Sequence, residues 1–293
     1  MSQTQLGDRR STTLDALAVA SVVERALAED LGTGDLGATD VTTNALFGPE
    51  VRCRARLLVK EPGVVCGLPA AEAVFRRLDS GVRFQQVVGE GDRLDEPGEV
   101  AFVEGTARAV LTGERTALNL LGRLSGVATL ARAFVDAVAG TGTVILDTRK
   151  TTPGLRVLEK YATRAGGVMN HRSSLYDGIL VKDNHLRLAG DVRPAVAALR
   201  LAAGGWPIEV EVETLDDVRA ALDAGCDVLL LDNMTPETMT EAVALASSRA
   251  RLEASGGVSL TNVRAVAETG VDFVSVGALT HAARSLDVSL EVL

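Results

Sequence analysis

From residue 142 onward, short apolar runs alternate with helical patterns, and this alternation constrains the fold more than any other feature of the chain. The predicted strands are residues 144–148, 178–182, 208–212, 228–232, 252–255 and 273–277. Helical patterns over residues 191–204, 215–225, 236–248 and 261–270 separate most of them. Repeated β/α units predict a parallel sheet, because a parallel pair needs a long crossover connection. Six or so units without a GxGxxG motif after the first strand favour a closed parallel α/β barrel, with an open doubly wound sheet as the alternative.

The first 110 residues follow another pattern. A helical stretch at residues 14–30 precedes β-like runs at 51–60, 82–92 and 99–107, with a helix at 69–78 among them. Turn sequences such as EPG and GEGDRLDEPG separate the runs. These features predict an α+β module. A long helical pattern over residues 112–140, with Gly122 and Gly126 as weak points, joins it to the second region.

Composition excludes several classes of protein. The chain has 293 residues, of which 46% are hydrophobic, so it can bury a large core. Its net charge of -9 argues against a nucleic-acid partner, which calls for a basic surface. No apolar stretch approaches the roughly 20 residues that span a bilayer, and the polar N-terminus has no signal-peptide pattern. Cys53, Cys66 and Cys226 share no metal or redox spacing. We therefore expect a cytoplasmic protein with reduced cysteines.

Within this acidic chain, residues 145–187 form a basic segment that holds three of the four lysines. Arg149, Lys150 and Lys182 each directly follow an apolar run that is predicted to be a buried strand. Lysine supplies a compact charge, and arginine a planar fork suited to carboxylate or phosphate. The segment indicates a site for a small, multiply charged anion. The alternative is a solvated basic face.

In parallel β/α barrels the chemistry lies where the strands end. The first two strand ends offer cations, and the next two offer Glu211 and Asp232. Glu209, Glu211 and Glu213 share one face of their strand, which indicates a polar lumen or, alternatively, an exposed edge strand. Asp232 follows the run VLLL, which is too apolar for an edge strand, so its carboxylate is expected at the mouth of the barrel. Such carboxylates can hydrogen-bond sugar hydroxyls or orient Mg²⁺-bound water.

The last two strand ends carry small residues, in residues 255–257 and 276–278. Glycine lets a ligand approach the backbone, so these ends favour phosphate binding, with an ordinary turn as the alternative. Cations, carboxylates and glycine-bearing ends together predict phosphoribosyl transfer to an acidic acceptor.

Several motifs then carry a family resemblance. GERTALNLLGRLSGVAT, LDTRKTTPGLRVLEKYA, GGVMNHRSSLYDGILVKDNH, IEVEVE, LLLDNM and LEASGGV resemble quinolinate phosphoribosyltransferase, the carboxylating nicotinate-nucleotide pyrophosphorylase. The resemblance covers nearly the whole chain, and DTRKTTPG and NHR…KDNH are its most specific parts. GTGDLGATDVTT resembles the family's N-terminal signature in a looser form, with Leu-Gly-Ala inserted.

The resemblance implies an activity and an architecture. The family converts quinolinate and phosphoribosyl pyrophosphate, with Mg²⁺, to nicotinate mononucleotide, pyrophosphate and CO₂ in NAD biosynthesis. It implies an α/β fold: an N-terminal α+β sandwich domain followed by an incomplete parallel α/β barrel. In this chain the expected boundaries are 1–115, 116–281 and a C-terminal tail, 282–293, packed on the N-terminal domain. The expected assembly is a homodimer with shared active sites, or a higher oligomer built from it.

The motifs also carry expected residue roles. Arg115 of GERTALN resembles the arginine that reaches the neighbouring subunit's quinolinate site. The quinolinate pocket is matched by Thr148, Arg149, Lys150, His171, Arg172 and Lys182. The ribose and the Mg²⁺-bound substrate are matched by Glu211 and Asp232, with indirect metal contact. The 5′-phosphate is matched by Ser255, Gly256, Gly257, Val276, Gly277 and Ala278. Lys150, Lys182, Glu211 and Asp232 are the expected catalytic residues.

Two other functions remain open. Lys182 at a barrel strand end is also the position expected of an imine-forming lysine in a Schiff-base lyase. A non-catalytic anion-binding protein on the same scaffold, or the family's molybdenum-transport relative, would bind the same ligands without releasing CO₂.

Overall fold

The structure is a computed structural model that describes residues 14–32, 40–202 and 205–293. The elements of the first half are α1 (Ala16–Leu31), α2 (Val41–Leu46), β1 (Arg52–Val59), β2 (Gly63–Val64), α3 (Leu68–Leu78), β3 (Arg83–Gln86), β4 (Arg93–Leu94), β5 (Gly98–Thr106) and α4 (Ala107–Ala137). Those of the second half are β6 (Val144–Leu146), α5 (Arg156–Ala165), β7 (Ile179–Val181), α6 (Asp183–Ala189), α7 (Val192–Ala202), β8 (Ile208–Val212), α8 (Leu215–Asp223), β9 (Val228–Asp232), α9 (Pro236–Ala246), β10 (Arg251–Ser255), α10 (Val263–Ala267), β11 (Phe273–Ser275), α11 (Ala278–His281) and β12 (Val288–Val292).

The described residues form two units. The barrel unit contains Ala133–Thr151 and Val168–His281. The α+β unit contains the described residues of Ser11–Arg132 together with Thr152–Gly167 and Ala282–Leu293. The inserted Leu-Gly-Ala of the N-terminal signature lies outside the described residues. No helix in the described part of the chain combines the length and the apolar character that crossing a bilayer requires.

An antiparallel sheet in the order β12-β1-β5-β3 organises the α+β unit. β1 alternates, with Ala55, Leu57 and Val59 buried and the residues between them more exposed, as a strand with one buried face requires. The three strands predicted here all form. However, β3 is shorter than its predicted run, because Gly89 and the residues that follow it turn the chain: the Gly89 carbonyl accepts the N–H of Asp92 at 3.3 Å.

The long helix α4 is continuous through the two glycines that were expected to weaken it. Leu121 and Leu124 lie on its buried face. A side chain at Gly126 would overlap the carbonyl oxygen of Arg284, and one at Gly122 would come within 2.8 Å of the carbonyl oxygen of Leu286. The two glycines therefore allow the C-terminal segment to lie against the helix backbone. The expectation of weak points was wrong because it considered only helix propensity.

The barrel unit is built on a six-stranded parallel sheet in the order β6-β11-β10-β9-β8-β7. From β7 to β11 each strand lies beside the next in sequence, and β11 then pairs with β6, the first strand. This cyclic order is what winding around a barrel produces, whereas a doubly wound sheet reverses direction at a switch point. β6 and β7 stand at the two ends of the sheet, so the barrel is incomplete. Because the strand order is the cyclic order of a barrel, the alternative of an open, doubly wound sheet is wrong. Beyond β6, Met169 forms a parallel bridge with Leu146.

The two faces of this sheet differ in chemistry. One face packs against helices such as α8 and α9 and is apolar, formed by Ile208, Val210, Leu229, Leu231, Leu252 and Ala254, all buried. The register places polar residues on the opposite, lumen face: Glu209, Glu211, Asp232, Glu253 and Ser255. Because β8 lies between β7 and β9, the alternative of an exposed edge strand of glutamates is wrong. The predicted polar lumen is confirmed.

Candidate active site

A buried carboxylate at the end of β6 organises the Asn170-His171-Arg172 segment. Asp147 is fully buried. Its Oδ1 accepts the main-chain N–H of His171 at 2.9 Å, and its Oδ2 accepts the side-chain amide of Asn170. These bonds hold the segment beside the carboxyl end of β6, the edge at which barrel enzymes place their chemistry.

Arg172 lies close to Arg149, and both are partly buried. Burial lowers the pKa of Arg172, and the neighbouring charge of Arg149 lowers it further, while Glu209 and Asp177 oppose the effect. Arg172 Nη1 donates to the carbonyl of Gly178 at 3.1 Å. Its Nε is buried and has no acceptor among the described residues. Two nearby guanidinium groups with an unused donor make a place where an anion would be stabilised.

Lys150 lies where the ends of β6 and β11 meet. Its N–H donates to Thr148 Oγ1 at 3.0 Å, and its carbonyl accepts from Thr280 Oγ1 at 2.7 Å. A side chain at Gly277 would come within 2.9 Å of Lys150 Cδ. Gly277 therefore gives the lysine stem room to lie across the end of β11, with the side chain exposed to solvent.

Lys182, Glu211 and Asp232 interact at the ends of β7, β8 and β9. Burial raises the pKa of Glu211, the positive charge of Lys182 opposes this, and the negative charge of Asp232 adds to it. Asp232 accepts the side-chain amide of Asn233 at 2.9 Å. Lys182 is exposed, and its main-chain N–H donates to His185 Nδ1 at 2.9 Å. The paired carboxylates repel each other, so a cation beside them would relieve the repulsion.

The glycine turn after β10 requires glycine for two reasons. Gly256 has φ +93° and Gly257 has φ +60°, in the left-handed region that favours glycine. A side chain at Gly256 would also overlap that of Asn233, whose N–H donates to the carbonyl of Ser255 at 2.9 Å. At the next strand end, Val276 donates its N–H to the carbonyl of Leu146 at 2.9 Å, and Ala278 begins α11. The space beside Gly257 is open, so a ligand can approach the backbone closely there.

Deeper in the lumen lies a cluster that the sequence interpretation did not select. His171 Nε2 is 3.1 Å from Glu209 Oε2 and 3.5 Å from Glu253 Oε2. Both glutamates are buried. Burial raises the pKa of Glu253, and the charge of Glu209 raises it further, against the effect of His171. A signal was present, since Glu253 is a carboxylate between the apolar residues Leu252 and Ala254 in the middle of its strand.

Two residues of the sequence pattern lie elsewhere. Lys160, part of the basic segment, is buried in α5 of the α+β unit. The basic segment is thus divided between the two units, although its composition alone suggested one cluster. Arg115 is an exposed residue on α4. It lines a groove of about 260 Å³ in the α+β unit, together with Asn119 and Asp287.

Comparison with known families agrees with this geometry. The family model described as the quinolinate phosphoribosyl transferase N-terminal domain matches residues 40–125, and the one described as the C-terminal domain matches residues 127–291. The chain belongs to the quinolinate phosphoribosyltransferase family. The family recognised from the sequence motifs is confirmed.

Similar members of the quinolinate phosphoribosyltransferase family span nearly the whole chain. A probable nicotinate-nucleotide pyrophosphorylase (carboxylating) of Synechocystis is 46% identical and covers 91% of this chain and 90% of its own length. The nicotinate-nucleotide pyrophosphorylase (carboxylating) of Mycobacterium leprae is 43% identical, covering 94% and 97%. The solved structure of the nicotinate-nucleotide pyrophosphorylase from Francisella tularensis has a TM-score of 0.90 at 35% identity, covering 96% and 98%.

Proposed function

We propose that this chain transfers the phosphoribosyl group of phosphoribosyl pyrophosphate to quinolinate, releasing pyrophosphate and CO₂ to give nicotinate mononucleotide for NAD biosynthesis. One observation carries the proposal within the family: the partly buried pair Arg149 and Arg172. Two adjacent guanidinium groups are unfavourable in a desolvated place unless an anion joins them. Quinolinate has two adjacent carboxylates, which two planar forks can each bind through two hydrogen bonds.

The remaining groups suit the other parts of the two substrates. Lys150 and Thr148 add donors next to Arg149, and Lys182 adds one at the end of β7. Glu211 and Asp232 suit the ribose hydroxyls. The strand ends from Ser255 to Gly257 and from Val276 to Ala278 suit the 5′-phosphate, because glycines lie at both ends and the space beside Gly257 is open to a ligand.

Glu211 and Asp232 also suit Mg²⁺ held with phosphoribosyl pyrophosphate. Carboxylate oxygens are ligands that Mg²⁺ prefers, usually with several waters retained. Burial raises the pKa of Glu211, and the negative charge of Asp232 adds to this against Lys182, so a divalent cation beside the two carboxylates would be stabilised. The ion would neutralise charge on the leaving pyrophosphate.

The reaction needs alignment and charge stabilisation. The pyridine nitrogen forms a bond to the anomeric carbon as the bond to pyrophosphate breaks, and the ribose passes through an oxocarbenium-like transition state. The protein positions the two reactants and presents fixed charges to them, with no covalent enzyme intermediate. The resulting pyridinium stabilises the electron pair left on C2 when CO₂ departs, and C2 then takes a proton. Lys150 and Lys182 act as electrostatic clamps, and Arg149 and Arg172 as carboxylate forks.

The assembly belongs to the same proposal. Arg115 lies on α4, ahead of every barrel strand in the sequence, and is exposed. We assign it to the quinolinate site of the neighbouring subunit in a homodimer. A two-fold dimer would form this contact twice, once for each site.

A Schiff-base lyase finds no support in the geometry. An imine-forming lysine usually has its charge disfavoured by burial or by another cation. Lys182 is instead exposed and lies beside Glu211 and Asp232.

The deciding experiment is release of labelled CO₂ from quinolinate labelled at the 2-carboxylate. Release should require both phosphoribosyl pyrophosphate and Mg²⁺, and nicotinate mononucleotide should form in equal amount. Binding of quinolinate without CO₂ release would favour the non-catalytic anion-binding alternative. Trapping of a carbonyl substrate on Lys182 by borohydride would favour the lyase.

A further inference from the structure

The lumen cluster of Glu253, Glu209 and His171 connects to the backbone of Arg172. The main-chain N–H of Arg172 donates to His171 Nδ1 at 2.7 Å. At the other side of the ring, Nε2 is 3.1 Å from Glu209 Oε2. The carboxyl oxygens of Glu209 and Glu253 and the ring nitrogen all lie within 4.8 Å of one another, so the two glutamates adjoin each other beside the ring. An unbroken chain of contacts therefore runs from the centre of β10 to Arg172.

The ring's hydrogen-bond pattern decides which chemistry this cluster can perform. The three ligand atoms lie within 4.8 Å of one another, which would suit a metal ion by distance. However, Nδ1 accepts a hydrogen bond, so its lone pair is used and the ring proton lies on Nε2. A protonated Nε2 cannot bind a metal. It can donate to Glu209, so the cluster is a hydrogen-bond chain.

We propose that Glu253 is a positioning residue that acts through Glu209 and His171 to fix the orientation of Arg172 for binding the acidic substrate. The inference rests on the proposed function, because it assigns Arg172 to the quinolinate carboxylates. Asp147 holds the His171 backbone from one side, and the glutamate pair holds its ring from the other. With both in place, the peptide that precedes the Arg172 side chain has one orientation.

The state of Glu253 supports this role. The side chain is 2% exposed, and its Oε1 is buried with no hydrogen-bond partner among the described residues. A buried, unpartnered carboxylate oxygen is costly when charged, so burial favours the neutral form of Glu253, which can donate to Glu209. The raised pKa of Glu253 agrees with this neutral form.

The test compares Glu253→Ala with Glu253→Gln. Glutamine keeps the length of the side chain and a donor for Glu209, whereas alanine removes both. In Glu253→Ala we expect the Kd for quinolinate, measured by calorimetry, to rise about tenfold or more, as loss of a buried hydrogen-bond network permits. In Glu253→Gln it should stay within about threefold of wild type, and the Kd for phosphoribosyl pyrophosphate should change little in either variant. Should the alanine variant fail to fold, Glu253→Leu fills the space with no polar atom and serves instead.

A double-mutant cycle tests whether Glu253 acts through His171. In a His171→Ala background, Glu253→Ala should have little further effect on quinolinate affinity. Leu252→Ala is the matched control. Leu252 is the neighbouring residue of β10 and faces the helices, so its truncation should lower Tm while leaving the quinolinate Kd unchanged.

The outcomes separate the inference from the proposed function. An unchanged quinolinate Kd in Glu253→Ala, or full additivity with His171→Ala, would overturn the positioning role. Equal weakening by Glu253→Ala and Leu252→Ala would overturn it as well, since both would then act through stability. Wild-type protein that neither binds quinolinate nor releases CO₂ would remove the proposed function itself.

Discussion

Two buried glutamates, one in each unit, have carboxyl groups with very different hydrogen-bond environments. Glu159, in the α+β unit, is fully buried, and both of its oxygens are satisfied. It accepts from Arg123 Nη2 at 2.7 Å, from the N–H of Thr152 at 2.9 Å and from Thr152 Oγ1 at 2.8 Å. Glu253, in the barrel unit, is almost equally buried, yet one of its oxygens has no partner among the described residues.

The difference separates structural polar groups from functional ones. A buried charge that is fully paired and hydrogen-bonded stabilises its surroundings and has nothing left with which to bind a ligand. The lumen instead has unused polar atoms, at Arg172 Nε and Glu253 Oε1. Unsatisfied polar groups are rare in native interiors, so these two atoms of the barrel unit are candidates for a functional role.

The largest effect on stability should come from Glu159→Ala. It leaves the partly buried Arg123 guanidinium without its carboxylate and Thr152 without its acceptor, which costs about 3 kcal/mol in the free energy of unfolding. The control is Glu72→Ala, which breaks an exposed helical ion pair with Arg76 at 2.7 Å and should cost less than about 1 kcal/mol. Denaturant titration of both variants measures the difference. Equal losses would remove the contrast between buried and exposed pairs.

Lys150→Ala and Lys182→Ala should lower activity strongly and stability little, the reverse of the effect expected for Glu159→Ala. Each removes a cation from the proposed substrate site, and the expected loss is about 2–5 kcal/mol of transition-state stabilisation, read from kcat/KM. Both side chains are exposed. Unfolding free energy should therefore change by no more than about 0.5 kcal/mol. Near-normal turnover in both variants would contradict the assignment of a cationic pocket.

Glu211→Ala and Asp232→Ala should weaken use of phosphoribosyl pyrophosphate more than binding of quinolinate. Each removes an acceptor for the ribose or for Mg²⁺-bound water, with an expected loss of about 1–3 kcal/mol in binding. Calorimetry with each substrate separately gives the comparison. Unchanged affinity for phosphoribosyl pyrophosphate in both variants would show that the two acids serve another purpose.

Arg115 tests whether a polar residue of the α+β unit can be functional. Arg115→Ala and Lys150→Ala should each be inactive. Mixed under conditions that exchange subunits, they should regain about a quarter of wild-type activity, because half of the dimers are mixed and one of their two sites is whole. Light-scattering or tagged-subunit capture verifies the exchange. Demonstrated exchange with no recovery would mean that Arg115 acts within its own subunit or has no role.

The smallest effect should come from a surface pair of the α+β unit. Hydrogen bonds from Arg284 and from the N–H of Asp287 lower the pKa of Glu61 from 4.5 to about 2. A lowered folded-state pKa adds stability above the unfolded value, and this stability is lost as pH falls from about 4.5 toward 2. Wild type should therefore exceed Glu61→Gln slightly in stability at neutral pH, with the gap closing across that range. Urea titrations at several pH values measure the difference in unfolding free energy between the two proteins. A difference that stays constant from pH 4.5 to 2 would contradict the lowered pKa of Glu61.

Much of the fold could be predicted because its signals are local. All six barrel strands appear at their predicted places, because the apolar and β-branched residues of segments such as VLLLD and IEVEV favour a strand through their local pattern alone. The lengths were less accurate. β6, β7 and β11 are each three residues long, whereas the predicted runs had five. The structure ends each of them before the polar residue or glycine that closed the predicted run. Helix propensity gave the wrong expectation for Gly122 and Gly126, because the local sequence does not show that the C-terminal segment packs against the helix backbone at these two residues.

The sequence by itself determined the family, the alternation of strands and helices, and the strand-end residues that the motifs carry. Those properties depend on residue order, which the chain retains in any conformation. Only the tertiary structure decided that Lys160 is buried within α5, and that Glu253 meets His171, which lies 82 positions earlier in the chain. Burial and hydrogen-bond partners are properties of the packed molecule, because they depend on which distant strands pair. The chemistry of a carboxylate follows from those partners, so an identical residue type is a structural anchor in α5 and a positioning group in β10.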